Sequence, residues 1–291
     1  MKKLLLVAIL LAMLLTVLSA CVADVPFKGA GTSWDPYIIE TASDICELSR
    51  LVYGGNSFKR KFFRQTEDVD LSGIDWVPIG SSGTDNSFDG TYDGNGRVIT
   101  GLETSREGGN GLFGRLGGTV MNLSVENGVI RGDIAGSIAC SSSGNKGLII
   151  NCCVKATVIA AEAGGIAHDF NGMILNCRTD CTLEGEITGD VCAGALAFGA
   201  NNRTEEGVTA DEMNATIPTS AYSAGIDMRE LNLWKDIDGE AFLTSEKREM
   251  SSGDIPWIIK TGRYKAYLII MTVICLTAFV LAIRRRKRTA V

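Results

Sequence analysis

Two uninterrupted apolar runs, Leu4–Val17 and Ala266–Ile283, bracket the chain. Between them apolar positions come in short bursts, rich in Val and Ile, that stop at Gly or Asn. These bursts lack the 3.6-residue rhythm of an amphipathic helix over ten or more positions, so they predict strands. Ala42–Tyr53 is the exception: it reads as one helix, with Ser43 as its N-cap.

The first run follows Met1, Lys2 and Lys3 and has the form of a signal peptide, residues 1–23. It ends in Leu18-Ser19-Ala20-Cys21. Small residues before a cysteine resemble the lipobox of prokaryotic lipoproteins, which makes Cys21 a candidate lipidation site. The other reading is ordinary cleavage after Ala23, with Cys21 discarded. The second run would span roughly 27 Å as a helix, against about 30 Å of hydrocarbon. Arg284, Arg285, Arg286, Lys287 and Arg288 follow it, and such a cluster stays cytoplasmic. Lys260, Arg263 and Lys265 on the other flank weaken the asymmetry, but a leader that enters the export pathway first sets the orientation. The expectation is a single-pass cell-membrane protein. Residues 24–262 lie outside, a transmembrane helix covers 266–283, and a basic tail, 284–291, lies inside.

Within the exterior part three stretches share one pattern: Gly118–Val125, Gly147–Val154 and Gly172–Thr179. Their central asparagines, Asn122, Asn151 and Asn176, are 29 and 25 residues apart. A second element recurs out of phase, at Ala135–Ala139, Ala163–Ala167 and Ala193–Ala197, and Asn110–Gly114 looks like its founding copy. A period in this range means a repeat architecture. The expected fold is therefore mainly β, a parallel β-solenoid in which each coil covers the apolar face of the next. Period two points Met121, Leu123 and Val125 inward, with Ile150, Cys152, Val154 and then Leu175, Cys177, Thr179 stacked on them. Leu123, Cys152 and Cys177 thus form a core column. Asn122, Asn151 and Asn176 form a ladder at a turn, because Asn accepts turn conformations and carries both donors and acceptors. The same alignment puts Ile138 and Cys140 over Ile166 and His168, then over Leu196 and Phe198, so that His168 lines a core slot.

Charge narrows the partners. Residues 24–262 hold 19 basic and 34 acidic residues, a net −15. A surface of that sign repels phosphate backbones, which argues against nucleic acid. Seven cysteines remain once Cys21 and Cys275 are set aside, an odd number that cannot all pair within one chain. Cys177-x-x-x-Cys181 lacks the second pair or the histidines that zinc wants, and the chain has one histidine; no metal and no cofactor are expected. Asp89–Gly96 lacks the distal bidentate acid of a calcium loop and reads as tight turns. Asn122, Asn202 and Asn214 head glycosylation sequons.

Residues 29–102 are the most distinctive. They run through Trp34-Asp35-Pro36-Tyr37, Trp76-Val77-Pro78-Ile79-Gly80 and Asp89-Gly90-Thr91-Tyr92-Asp93-Gly94-Asn95-Gly96. This succession resembles the opening module of prokaryotic cell-surface, adhesin-like proteins with GLUG repeats, and Gly111-Leu112-Phe113-Gly114 resembles a repeat copy. The likeness covers about residues 29–200. It implies a right-handed parallel β-helix of the pectin-lyase-like kind, with a short N-terminal capping helix. On that reading residues 24–102 are the capping module, 103–200 the repeats, and 201–262 a polar connection followed by a closing segment over the open end.

Export, repeats, an anchor and the lack of a compact catalytic motif point to a non-catalytic adhesion, scaffold or binding module, with an extracellular glycan or protein as ligand. The alternative is a carbohydrate-active β-helix enzyme. It would need clustered carboxylates, and Glu162, Asp169, Asp180 and Asp190 fall at different repeat positions, with Arg178 as the one nearby cation for lyase chemistry.

Overall fold

The computed structural model describes residues 25–105, 107–204 and 207–247. The leader with Cys21, the apolar run 266–283 and the basic tail lie outside the described residues. Among the described residues no helix is long and apolar enough to cross a membrane.

Over the described residues the protein is mainly β: a parallel solenoid of about six turns with two α-helices. Its first coils contain β1 (Tyr37–Ile39), helix α1 (Ala42–Tyr53), β2 (Phe62–Gln65), β3 (Val69–Asp70) and β4 (Thr91–Thr100). Then come β5 (Glu103–Thr104), β6 (Gly109–Asn110), β7 (Phe113–Leu116), β8 (Thr119–Gly136) and β9 (Ala139–Ser142). The later coils hold β10 (Leu148–Ile150), β11 (Cys153–Gly164), β12 (Ala167–Leu175), β13 (Arg178–Thr179), β14 (Thr182–Glu184), β15 (Ile187–Gly189) and β16 (Leu196–Ala200). Helix α2 (Ala210–Ala224) and a hairpin of β17 (Asn232–Ile237) and β18 (Glu240–Lys247) complete the described residues.

One rung column runs the length of the solenoid. Tyr37 pairs with Phe63, Phe63 with Tyr92, Tyr92 with Val120, Val120 with Ile149, and Ile149 with Ile174. All six are buried in one core. Under the N-terminal end that core is aromatic, with the rings of Phe27, Phe58, Phe63 and Phe88 in tilted or edge contact. Farther along, Phe113 gives way to Ala139 and Ala167, one below the other. Bulk sits where the cap must fill the cross-section, and small residues where neighbouring coils stack tightly.

Helix α1 spans the expected residues, but its N-cap is Thr41, not Ser43. Thr41 accepts from the Asp44 amide while the Asp44 carboxylate accepts from the Thr41 amide, a closed capping box that Ser43 has no acid in place to form. Ile45, Leu48 and Val52 face the solenoid and are fully buried.

Three further expectations are corrected. Met121, Ile150 and Leu175 do not point into the solenoid. They belong to a second apolar cluster on its outside, with Met213, Ile217, Leu231 and Trp234. The reason is the corner that follows: Asn122, Asn151 and Asn176 have φ of 55°, 56° and 52°, and a left-handed residue breaks the period of two. The inward residues before the corner are Val120, Ile149 and Ile174; after it, Leu123, Cys152 and Cys177 are inward as expected. Second, the last copy of the out-of-phase element is displaced. Ala167 aligns with Cys192 and Gly164 with Gly189, while Leu196 and Phe198 pair with Phe170 and Met173. Third, residues 201–223 are not merely a polar connection. Thr209 and Glu212 form a capping box that starts α2. This helix and the β17–β18 hairpin form a strap along the flank of the solenoid, across the rungs and not over its open end.

Candidate functional site

The corner asparagines are continuous, each fully buried. Asn122 Nδ2 donates to Asp93 Oδ1 at 2.8 Å, Asn151 Nδ2 to Asn122 Oδ1 at 2.9 Å, and Asn176 Nδ2 to Asn151 Oδ1 at 2.8 Å. Stacking uses an amide proton of each side chain and the side-chain oxygens of Asn122 and Asn151, and the strap takes up much of the rest. Asn122 Nδ2 also donates to the Glu230 carbonyl, Asn151 Nδ2 to the Asn232 carbonyl at 3.0 Å, and the Asn232 amide to Asn122 Oδ1. Trp234 Nε1 donates to Asn151 Oδ1 at 2.7 Å, and the Thr216 hydroxyl donates to Asn176 Oδ1. Asn201, with φ 58°, continues the corner one coil farther but turns its amide to Ser220. The repeat of 25 residues from Asn151 to Asn176 could have found it. Because Asn122 is fully buried, its sequon is closed in the folded protein, while Asn214 is half-buried and donates to the Trp234 carbonyl.

Charges fasten the strap at both ends. Asp93, nearly buried, pairs with Arg64 at 3.2 Å and faces the Lys247 ammonium at 3.7 Å. Desolvation lowers the Lys247 pKa, against the pull of Asp93. Arg178 is buried, donates to the Ala241 carbonyl at 3.1 Å and lies 3.3 Å from Glu240, so the cation considered for lyase chemistry is a structural strut. Gly96, at φ 70°, lets β18 cross: a Cβ there would stand 1.9 Å from the Thr244 carbonyl oxygen.

Leu123, Cys152 and Cys177 occupy one fully buried column. Both cysteines are free thiols, and burial pushes the Cys152 thiol well up, reinforced by the neighbouring Cys177. His168 stacks beside Cys140 and is nearly buried, and its Nε2 lies 2.8 Å from Glu162 Oε2. The other acids considered for sugar chemistry do not join it: Asp180 faces Lys155 at 3.5 Å, and Asp169 lies on the next strand position. No group of three or more His, Cys, Asp or Glu side chains is placed to hold a metal ion among the described residues.

A concave feature lies at the capped end, where repeat patterns give no signal. One face of α1, with Cys46, Ser49, Arg50 and Tyr53, forms a wall of a groove of about 750 Å³. The loops 74–83 and 107–110 form the opposite wall, contributing Asp75, Trp76, Ser81, Ser82 and Asn110. That volume is within the range of small-ligand sites. The Trp76 indole is held in the floor by its bond to the Gly111 carbonyl at 3.1 Å. At the rim Arg50 is locked to Glu47 through two contacts of 2.6 Å. Tyr53 is 58% exposed, and Trp34, in the loop before β1 at the same end, is 88% exposed.

These features define a β-solenoid with an aromatic-edged groove at one end and a strap along its flank. No family model matches the chain. Over 138 residues it is 36% identical to a protein of Evansella cellulosilytica named "Putative Gly-rich membrane protein", a match covering 44% of this chain and 15% of that one. Over 161 residues it is 29% identical to Halomucin of Haloquadratum walsbyi, covering 49% of this chain and 2% of that one. The chain thus matches a small part of each relative's length. Among solved structures it is similar to one described as a "putative immunoglobulin A1 protease" from Bacteroides ovatus, with a TM-score of 0.50, 18% identity, and coverage of 75% of this chain and 95% of that one. At that identity the likeness is one of fold alone.

Proposed function

We propose that the protein is a membrane-anchored cell-surface module that binds an extracellular glycan or protein through its N-terminal end, without catalysis. The groove walled by α1, with Tyr53 at its rim and Trp34 exposed at the same end, carries this reading. The Tyr53 ring, which lines the groove together with Arg50 of the Arg50–Glu47 pair, offers an apolar face next to fixed donors and acceptors, which suits sugar rings and protein loops alike. On the proposed topology the anchor follows the strap, and the groove stands at the end of the solenoid remote from the last coil. The GLUG-type resemblance, a right-handed coil and an exterior location for residues 24–262 belong to the same proposal, and the Gly-rich membrane protein among its relatives supports the location. Binding of the protein to glycan and matrix-protein arrays tests it. W34A and Y53A, both at exposed positions, should weaken any captured ligand at least about tenfold while leaving thermal unfolding unchanged. Binding that survives both substitutions would sink the assignment to this end.

A further inference from the structure

The two ends of the solenoid are finished differently. Helix α1 closes the first, whereas the last coil, residues 182–200, contains no buried residue. Leu183, Val191 and Leu196 pack on the core from one side only. β14, β15 and β16 each pair with one neighbour, so each keeps an open edge. Such an edge is a template for another strand.

Charge selects the occupant. Glu184, Glu186 and Asp190 are exposed on this coil, which has no Lys or Arg from 182 to 200; the nearest cations in the chain are Arg178, already held by Glu240, and Arg203, which forms a β-bridge with Arg178. A second copy would set these acids against themselves, which opposes self-pairing. The same chain carries a segment of opposite sign: Ile255-Pro256-Trp257-Ile258-Ile259, then Lys260, Arg263 and Lys265, with no acid from 255 to 265. It is also within reach. The strap ends at Lys247 beside Asp93, four rungs from Ala200, or about 19 Å at the strand spacing of ~4.8 Å. Residues 248–254 can span about 23 Å when extended. Pro256 is tolerated in a strand added at an edge.

We propose that residues 255–265 dock on the open last coil. Trp257 and its apolar neighbours cover Leu183, Val191 and Leu196, and the three basic side chains lie beside Glu184, Glu186 and Asp190. This closes the core at the end from which the chain leaves for its anchor, and it is independent of what the groove at the other end binds.

Hydrogen exchange on the full-length chain in lipid nanodiscs tests it, comparing wild type, W257A and K260E/R263E/K265E. Amides of β14, β15 and β16 should be protected in the wild type and exchange at least about tenfold faster in both variants, while those of α1, the control for intact folding, stay the same. Equal exchange in all three proteins overturns the proposal. The rival position for this segment is the bilayer surface. With fluorotryptophan labelling, the resonance that W257A removes should be unaffected by spin-labelled lipid, and broadening of that resonance overturns the proposal as well.

Discussion

Residue by residue, the thiols are the most sensitive reporters of this fold. Cys152 and Cys177 fill the column position that Leu123 fills one coil earlier, and Cys153 faces the strap cluster. Parallel stacked side chains meet the spacing of a disulfide but not its dihedral near ~90°, so the column is a packing feature. Burial pushes Cys140 and Cys153 from 9.0 up to about 12. A thiol whose pKa is raised by folding contributes stability that is complete below 9.0 and is lost as pH rises toward 12. Each of these two should therefore cost about 1 kcal/mol between pH 9 and 10, and about 1.4 kcal/mol between pH 7 and 10. Denaturant unfolding at pH 7, 9 and 10 should show that decline, and C153A, although less stable at pH 7, should show a shallower one. A stability that does not change with pH in this window would mean the thiols are open to water.

At the level of elements, the strap is the part that the repeats could not announce. The ladder and the column after each corner were legible in the sequence, because Asn122, Asn151 and Asn176 recur with the same neighbours. The phase before the corner was not. Alternation assigns Met121 inward only if the chain stays extended through Asn122, and a left-handed φ of 55° reverses the face. Nor do the repeats suggest why Met121, Ile150 and Leu175 should be apolar on an outer face; their cover comes from Trp234 and α2, distant in sequence and irregular in pattern. The groove was hidden for a similar reason, since it is walled by one helix and two loops that recur nowhere. Trp234 joins ladder and strap, being buried at 2% exposure while its Nε1 serves Asn151. W234A should destabilise the protein by about 3–5 kcal/mol through the lost packing and a weakened ladder. W234F keeps most of the volume and loses only the bond, so about 1 kcal/mol is expected. Equal losses for the two variants in chemical denaturation would show that packing alone holds the strap.

For the whole molecule, direction matters more than composition. The solenoid axis has a closed, aromatic-bearing end and an open, acidic end, and the strap leaves the chain at Lys247 with residues 248–265 before the apolar run. If Ala266–Ile283 spans the membrane and Arg284–Arg288 stays inside, the exterior part carries its net −15 away from an anionic inner leaflet. The opposite orientation would require five clustered cations to cross the membrane after a leader had already begun export. The solenoid buries its own core and needs no lipid to fold. External protease applied to intact cells should therefore remove residues 24–262 and leave a C-terminal tag full length with the anchor attached, and the tag should become cleavable only after permeabilisation. A tag lost from intact cells would reverse the topology. It would also place the groove with Tyr53 inside the cell, where no extracellular ligand could reach it.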